Sequence, residues 1–128
     1  MTAPTVLIAD DDSSFRRVVE YQLKQAGYDV LTAEDGKKAL ETFSQCRCHA
    51  VLTDLDMPEL SGSELLKEIK QQSPDTPVII ITAYGTIDSA VEATKRGASG
   101  YITKPITRER LLHLTRKALE EIRLRQEN

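Results

Sequence analysis

Asp10-Asp11-Asp12, Asp54 with Asp56, and Lys104 ahead of Pro105 lie far apart in the chain, yet each group follows a short apolar run. Those runs, Val6-Leu7-Ile8-Ala9, Ala50-Val51-Leu52-Thr53 and Tyr101-Ile102, read as β-strands. The charged groups therefore close strands, and the carboxyl ends of strands are where open α/β sheets bind their ligands. Carboxylates gathered at one edge repel one another until a cation joins them. Hard oxygen donors of this kind suit Mg²⁺ better than a softer metal. A divalent cation and a lysine beside a carboxylate point to phosphoryl chemistry, where positioning and charge neutralisation supply most of the catalysis.

Positioning such groups takes a sheet. Val30-Leu31-Thr32 and Val78-Ile79-Ile80-Ile81 add two strand-like runs to the three above, and the segments between them have helical periodicity. Phe15, Val18, Val19, Leu23 and Ala26 predict the buried face of a first helix, capped by Ser13 or Ser14 and ended by Gly27. A second helix, only one turn of it strongly apolar, runs from Gly36 to about Ser44 through Ala39, Leu40 and Phe43. Leu65, Leu66 and Ile69 mark a third that stops before Pro74, and Ile87, Ala90 and Val91 mark a fourth that stops at Gly97. Leu111, Leu114, Ala118, Leu119 and Ile122 mark the fifth, with Thr107 as its cap.

Strands of this apolar character alternating with helices predict a parallel sheet covered on both faces. With right-handed crossovers this is a doubly wound α/β fold: a flavodoxin-like (βα)5 three-layer sandwich with strand order 2-1-3-4-5. In that order the ligand crevice lies between strands 1 and 3. Those are the strands closed by Asp10-Asp11 and by Asp54.

A length of 128 residues and 14.3 kDa, with 40% hydrophobic and 29% charged residues, predicts a single globular domain over 1–128. Its core is expected over about 4–122, with 123–128 as a helical tail or the start of a linker. No stretch approaches the ~20 apolar residues of a membrane-spanning helix, and Met1-Thr2-Ala3-Pro4 lacks the regions of a secretory signal. A cytoplasmic location is expected. The net charge of −3 divides into +3 from Lys104 onward and −6 before it. No aromatic residues interleave with the basic charges of the last helix, which reads as a solvated face and not as a nucleic-acid surface. Cys46 and Cys48, in Cys46-Arg47-Cys48-His49, lack zinc-knuckle spacing and read as ordinary thiols. Asp12, taken alone, reads as an acid at a helix N-terminus.

Four motifs in order carry a resemblance: Ile8-Ala9-Asp10-Asp11-Asp12, then Leu52-Thr53-Asp54-Leu55-Asp56-Met57-Pro58-Glu59-Leu60-Ser61-Gly62, then Ile81-Thr82-Ala83, then Lys104-Pro105. Along essentially its whole length the chain resembles the receiver domain of two-component response regulators. The resemblance implies a signalling switch with weak self-catalysed phosphorylation and dephosphorylation, not a turnover enzyme. It implies that Asp54 accepts a phosphoryl group from a phosphohistidine of a sensor histidine kinase. It further implies Mg²⁺ held directly by Asp11 and Asp54, by Asp10 largely through water, and by the backbone carbonyl of Asp56.

Under the same resemblance Thr82 and Lys104 contact the phosphoryl oxygens. Thr82 and Tyr101 then pass the change to a partner-binding face made of helix 4, strand 5 and helix 5. Tyr84 and Asp56, each two residues past a site residue, overlook the acyl phosphate, and the Lys104-Pro105 bond is implied to be cis. The stretch from Thr82 to Ala93 resembles receivers of nitrogen-regulatory, enhancer-binding regulators. That implies an output domain controlling transcription, or a phosphorylation-dependent homodimer, as partner. It implies no direct contact of this domain with nucleic acid or membrane.

Asp54-Leu55-Asp56 also has the Asp-x-Asp form of haloacid-dehalogenase-type phosphatases. In those enzymes the nucleophile ends the first strand and a Thr or Val follows the second Asp closely. Here the pair ends the third strand and Pro58-Glu59, neither Thr nor Val, stands in that place. A scaffold-only pseudo-receiver is disfavoured because Asp11, Asp54, Thr82 and Lys104 are all present.

Overall fold

The structure, a computed structural model, describes residues 3–127, with side chains described through residue 120. Strand and helix alternate without exception: β1 (Thr5–Ala9), α1 (Ser13–Gln25), β2 (Asp29–Ala33), α2 (Gly36–Gln45), β3 (Ala50–Thr53), α3 (Gly62–Gln72), β4 (Val78–Thr82), α4 (Ile87–Lys95), β5 (Gly100–Thr103) and α5 (Arg108–Glu127). All strand pairs are parallel, in the order β2-β1-β3-β4-β5 expected from the sequence. Every residue of β3 and β4 is buried, which is why those runs are apolar throughout and do not alternate.

Successive side chains of a strand point to opposite faces, and this divides the core in two. Leu7, Ala9, Val51, Val78 and Ile80 pack with Ala39 and Phe43 of α2, Leu65, Leu66 and Ile69 of α3, and Ala93 of α4. Val6, Ile8, Leu52, Ile79 and Ile81 pack with Val19 and Leu23 of α1 and Leu111 and Ala118 of α5. The result is the three-layer sandwich, with both layers pressed on a fully buried centre.

The helix ends depart from expectation in one respect. Asp12, not Ser13 or Ser14, caps α1, its Oδ1 accepting from Ser14 N at 3.0 Å and Phe15 N at 3.2 Å. A carboxylate is the stronger acceptor and also suits the positive end of the helix. Gly27 and Gly97 follow α1 and α4 with φ of +97° and +103°, the left-handed turn that ends a helix. Thr107 Oγ1 accepts from Arg110 N at the start of α5.

Two predicted helix faces prove narrower than their apolar residues suggest. In α1, Val19 and Leu23 are buried, but Val18 is 53% exposed and Ala26 lies outside the last turn. Val18 precedes Val19 by about 100° around the helix and so faces outward. In α4, Ala93 is buried while Ile87 and Val91, expected on the inner face, are exposed. The side chain of Ile122 lies outside the described residues. Among the described residues no helix is long and apolar enough to cross a membrane.

Candidate functional site

The register of the central strands builds the site. β1 and β3 run side by side with Ala9 opposite Thr53, so Asp10 and Asp54 leave the sheet as neighbours. Asp54 N donates to Ala9 O at 2.9 Å, and Asp10 N donates to Ala33 O at 3.1 Å, extending the ladder one residue past each strand. Oxygens of Asp10, Asp11 and Asp54 lie within 4.8 Å of one another. Asp10 and Asp54 are buried and Asp11 is exposed. Among the described residues this is the only group of three or more acidic, His or Cys side chains close enough to share an ion.

Backbone amides orient the two buried carboxylates. Asp10 Oδ1 accepts from Asp12 N at 2.9 Å, and Asp54 Oδ1 accepts from Leu55 N at 2.7 Å and Asp56 N at 3.4 Å. The remaining oxygens face Lys104, whose Nζ donates to Asp10 Oδ2 at 2.7 Å and stands 3.4 Å from Asp54 Oδ2. The Lys104-Pro105 bond is cis, as expected.

One ammonium against three carboxylates leaves the cluster negative, and the electrostatics register it. Burial pushes the Asp10 carboxyl above its ordinary range, although the Lys104 hydrogen bond and the Asp12 amide pull it back. Burial acts to lower Lys104, but its hydrogen bond to Asp10 and the charges of Asp10 and Asp54 hold the ammonium above its ordinary value. The oxygen donors, their mutual distance and the unbalanced charge all fit a hard divalent cation such as Mg²⁺. The cluster offers three carboxylates, and Asp56 donates its backbone amide to one of them, Asp54 Oδ1.

The loop after Asp54 is braced from beneath. Gly62 passes so close that an added Cβ would stand 2.0 Å from the Asp54 carbonyl oxygen. Glu59 holds a φ of +70°, a left-handed conformation costly for a non-glycine residue and most often found near functional sites. Leu60 N donates to Pro58 O at 2.8 Å, and Gly36 N at the start of α2 donates to the same oxygen at 3.4 Å.

Thr82 and Tyr101 flank the cluster without joining it. Thr82 is buried at the end of β4, and its Oγ1 accepts from Tyr84 N at 3.3 Å. Lys104 N donates to Thr82 O at 2.8 Å, linking the lysine to that strand end. Tyr101, half-buried on β5, hydrogen-bonds through its hydroxyl to Ser89 Oγ on α4. Ser89 also closes the capping box with Thr86. Its part was not expected from the sequence, since Ser89 stands where the usual capping pattern has Glu or Gln. Two more residues were missed as site neighbours. Arg16 Nη1 donates to Asp10 O at 2.6 Å, and the Phe15 ring lies under Lys104 with its centroid 4.1 Å from Nζ. No motif announces either contact.

A separate cavity of about 470 Å³ opens at the opposite edge of the sheet among Tyr28, His49, Thr76 and Arg116. It contains none of these groups. Nearby Cys46 and Cys48 are free, and burial pushes the Cys48 thiol up to about 11.

Known proteins share both this fold and these sequence features. The family model for the response regulator receiver domain matches residues 6–116. The DNA-binding transcriptional regulator NtrC of Escherichia coli K12 is 38% identical over 122 residues, which cover 95% of this chain and 26% of that protein. The crystal structure of NtrX from Brucella abortus in complex with ADP superposes with a TM-score of 0.92 at 35% identity, covering 98% of this chain and 29% of that one. A CheY-like receiver domain protein from Methanospirillum hungatei superposes at 0.93 with 27% identity, covering 97% and 99%. The chain thus spans about a quarter of the length of the curated relatives it matches. With a parallel 2-1-3-4-5 sheet, a carboxylate cluster at the β1–β3 crevice and a family match over most of its length, the chain belongs to the receiver domains of two-component response regulators.

Proposed function

We propose that Asp54 is the phosphoacceptor of this receiver, and that a phosphohistidine of a sensor histidine kinase is its donor. The observation that carries this reading is the position of Asp54: buried, hydrogen-bonded through Oδ1 to two backbone amides, and facing Lys104 with Oδ2. One oxygen is thereby oriented by the backbone, and the other, 3.4 Å from the Lys104 ammonium, is the one placed to attack. The new bond joins Asp54 oxygen to phosphorus, the phosphorus–nitrogen bond breaks, and its electron pair stays on the imidazole. Asp11 and Asp54 would hold Mg²⁺ directly, Asp10 through water and Asp56 through its carbonyl. When bound, the ion supplies positive charge that offsets the phosphoryl oxygens. Lys104 keeps its proton and offers it to a phosphoryl oxygen, and the Thr82 hydroxyl donates to another.

The domain works as a switch, with only slow phosphorylation and hydrolysis of its own. Residues 1–128 make up a single receiver unit with its core over about 4–122, and 123–128 form a helical tail or the start of a linker. A transcription-regulatory output controlled by it would act in the cytoplasm. Two exposed apolar surfaces support the choice of partners. Val18 of α1 lines a pocket with Phe15, Lys104 and the Pro105–Ile106 loop, next to the carboxylates, and Tyr21 continues this exposed stretch toward Arg108, where a donor protein must approach. Tyr84, Ile87 and Val91 line the opposite flank along α4, where an output domain or a second copy would bind after phosphorylation. Incubation with acetyl phosphate and Mg²⁺ should add one phosphoryl group, read by intact-mass spectrometry. Asp54→Asn should abolish uptake, and undiminished uptake would move the assignment elsewhere. Tyr21→Ala should slow transfer from a phosphorylated kinase but leave uptake from acetyl phosphate near wild type.

A further inference from the structure

We propose that Phe15 is a positioning residue for Lys104: its ring face holds the ammonium between Asp10 and Asp54. This rests on Asp54 being the phosphoacceptor. A lysine ammonium has three N–H donors. Here one is directed to Asp10 at 2.7 Å and another toward Asp54 at 3.4 Å. The aromatic face, 4.1 Å from Nζ to its centroid, takes the third side, well inside the range of a cation–π contact. The lysine side chain is only 16% exposed, so little water competes with the ring.

The ring suits this task because its attraction has little directional demand. A hydrogen-bond acceptor in its place would fix the ammonium, whereas a π face lets it shift toward a new phosphoryl oxygen. The ring's own position is set by the residues that form the site. Asp12, directly after Asp10 and Asp11, caps α1 and accepts from Phe15 N, so one rigid corner presents the acids and the aromatic ring together. The apolar role of Phe15, packing against the side of the core that holds Val19, Leu52 and Ile81, is compatible with this but does not require an aromatic side chain.

The test compares initial phosphorylation rates over a range of acetyl phosphate at saturating Mg²⁺, for wild type, Phe15→Leu and Phe15→Tyr, each with Lys104 intact and with Lys104→Met. Phe15→Leu keeps the apolar volume and loses the π face. It should lower the limiting rate about 3- to 10-fold with little change in half-saturating acetyl phosphate. Phe15→Tyr should recover the rate to within about 2-fold. With Lys104→Met, Phe15→Leu should cause no further loss, since the ring acts through the ammonium. If Phe15→Leu does not fold, Phe15→Met takes its place. A Phe15→Tyr rate as low as that of Phe15→Leu, a Phe15→Leu rate equal to wild type, or the same fold loss in the Lys104→Met background would overturn the proposal. A wild type that takes up no phosphoryl group would instead overturn the assignment of Asp54.

Discussion

α3 and α4 start alike and are seated differently. Each follows a fully buried strand, and each begins with a capping box, Ser61 with Glu64 and Thr86 with Ser89. α3 buries Gly62, Leu65, Leu66 and Ile69, while α4 buries Ala93 alone. Ile87 and Val91, whose burial would anchor α4, point to solvent. The strand–helix unit that carries Asp54 is therefore clamped, and in the unit that carries Thr82 the strand is buried but the helix rests on few contacts. A phosphotransfer site needs its nucleophile held still, and a switch needs an element with little packing to give up. With Asp54 as the proposed nucleophile, the two demands fall on adjacent units.

The largest expected effect tests the clamp. Gly62→Ala drives a Cβ to 2.0 Å from the Asp54 carbonyl oxygen, a backbone atom that cannot step aside. Loss of roughly 3 kcal/mol or more in urea unfolding is expected, with phosphoryl uptake lost as the loop shifts. A cost under about 1 kcal/mol would mean that α3 can slide, and the contrast with α4 would fail. Next in size, Leu66→Ala removes a side chain 1% exposed and should cost about 2–5 kcal/mol. Ile87→Ala, at 83% exposure, should stay within about 0.5 kcal/mol of wild type. Equal costs would show that α4 is anchored as firmly as α3.

The sequence reveals the clamped unit far better than the loose one. Leu65, Leu66 and Ile69 are apolar because they are buried, so periodicity finds them. Ile87 and Val91 are apolar and exposed, so the same rule misplaces them. Periodicity reports apolar character, and an interaction surface has that character without burial. The site shows a similar division. Asp10, Asp11, Asp54 and Lys104 were legible because charge after an apolar strand is unusual and because the flavodoxin-like strand order sets strands 1 and 3 side by side. Phe15 under Lys104, Arg16 on the Asp10 carbonyl and the left-handed Glu59 were not, because each depends on three-dimensional packing that leaves no spacing rule in the chain.

The clamped edge is held against its own charge, and pH makes this measurable. Burial raises the Asp10 carboxyl, so between the ordinary carboxylate range and the folded value the folded domain binds more protons than the unfolded chain. For a raised carboxyl the stability contribution falls as pH climbs from the ordinary carboxylate range through the folded value. Asp10→Asn removes that penalty. In chelator-treated protein it should be more stable than wild type near pH 7, the gain narrowing toward pH 4. A loss of stability at pH 7 would mean that the Lys104 pair outweighs burial, and the rigid edge would then owe part of its rigidity to that pair.

The smallest expected effect concerns what does hold α4. Tyr101 lies on β5, and its hydroxyl meets Ser89 Oγ, tying the helix to the sheet near its first turn. Tyr101→Phe keeps the ring and deletes that one hydrogen bond, worth about 0.5–1.5 kcal/mol. Ser89 stays satisfied through Thr86, so no orphaned polar group complicates the reading. With few apolar contacts behind it, α4 should feel the loss locally. Amide exchange there should quicken about 2- to 10-fold while α3 and the global unfolding midpoint barely move. The same acceleration in α3 would show that the two units open together, and the division between a clamped and a loose unit would not describe this domain. Acceleration confined to α4 would identify the Tyr101–Ser89 contact as a restraint on the helix, one that a rearrangement at Thr82 could release by moving Tyr101.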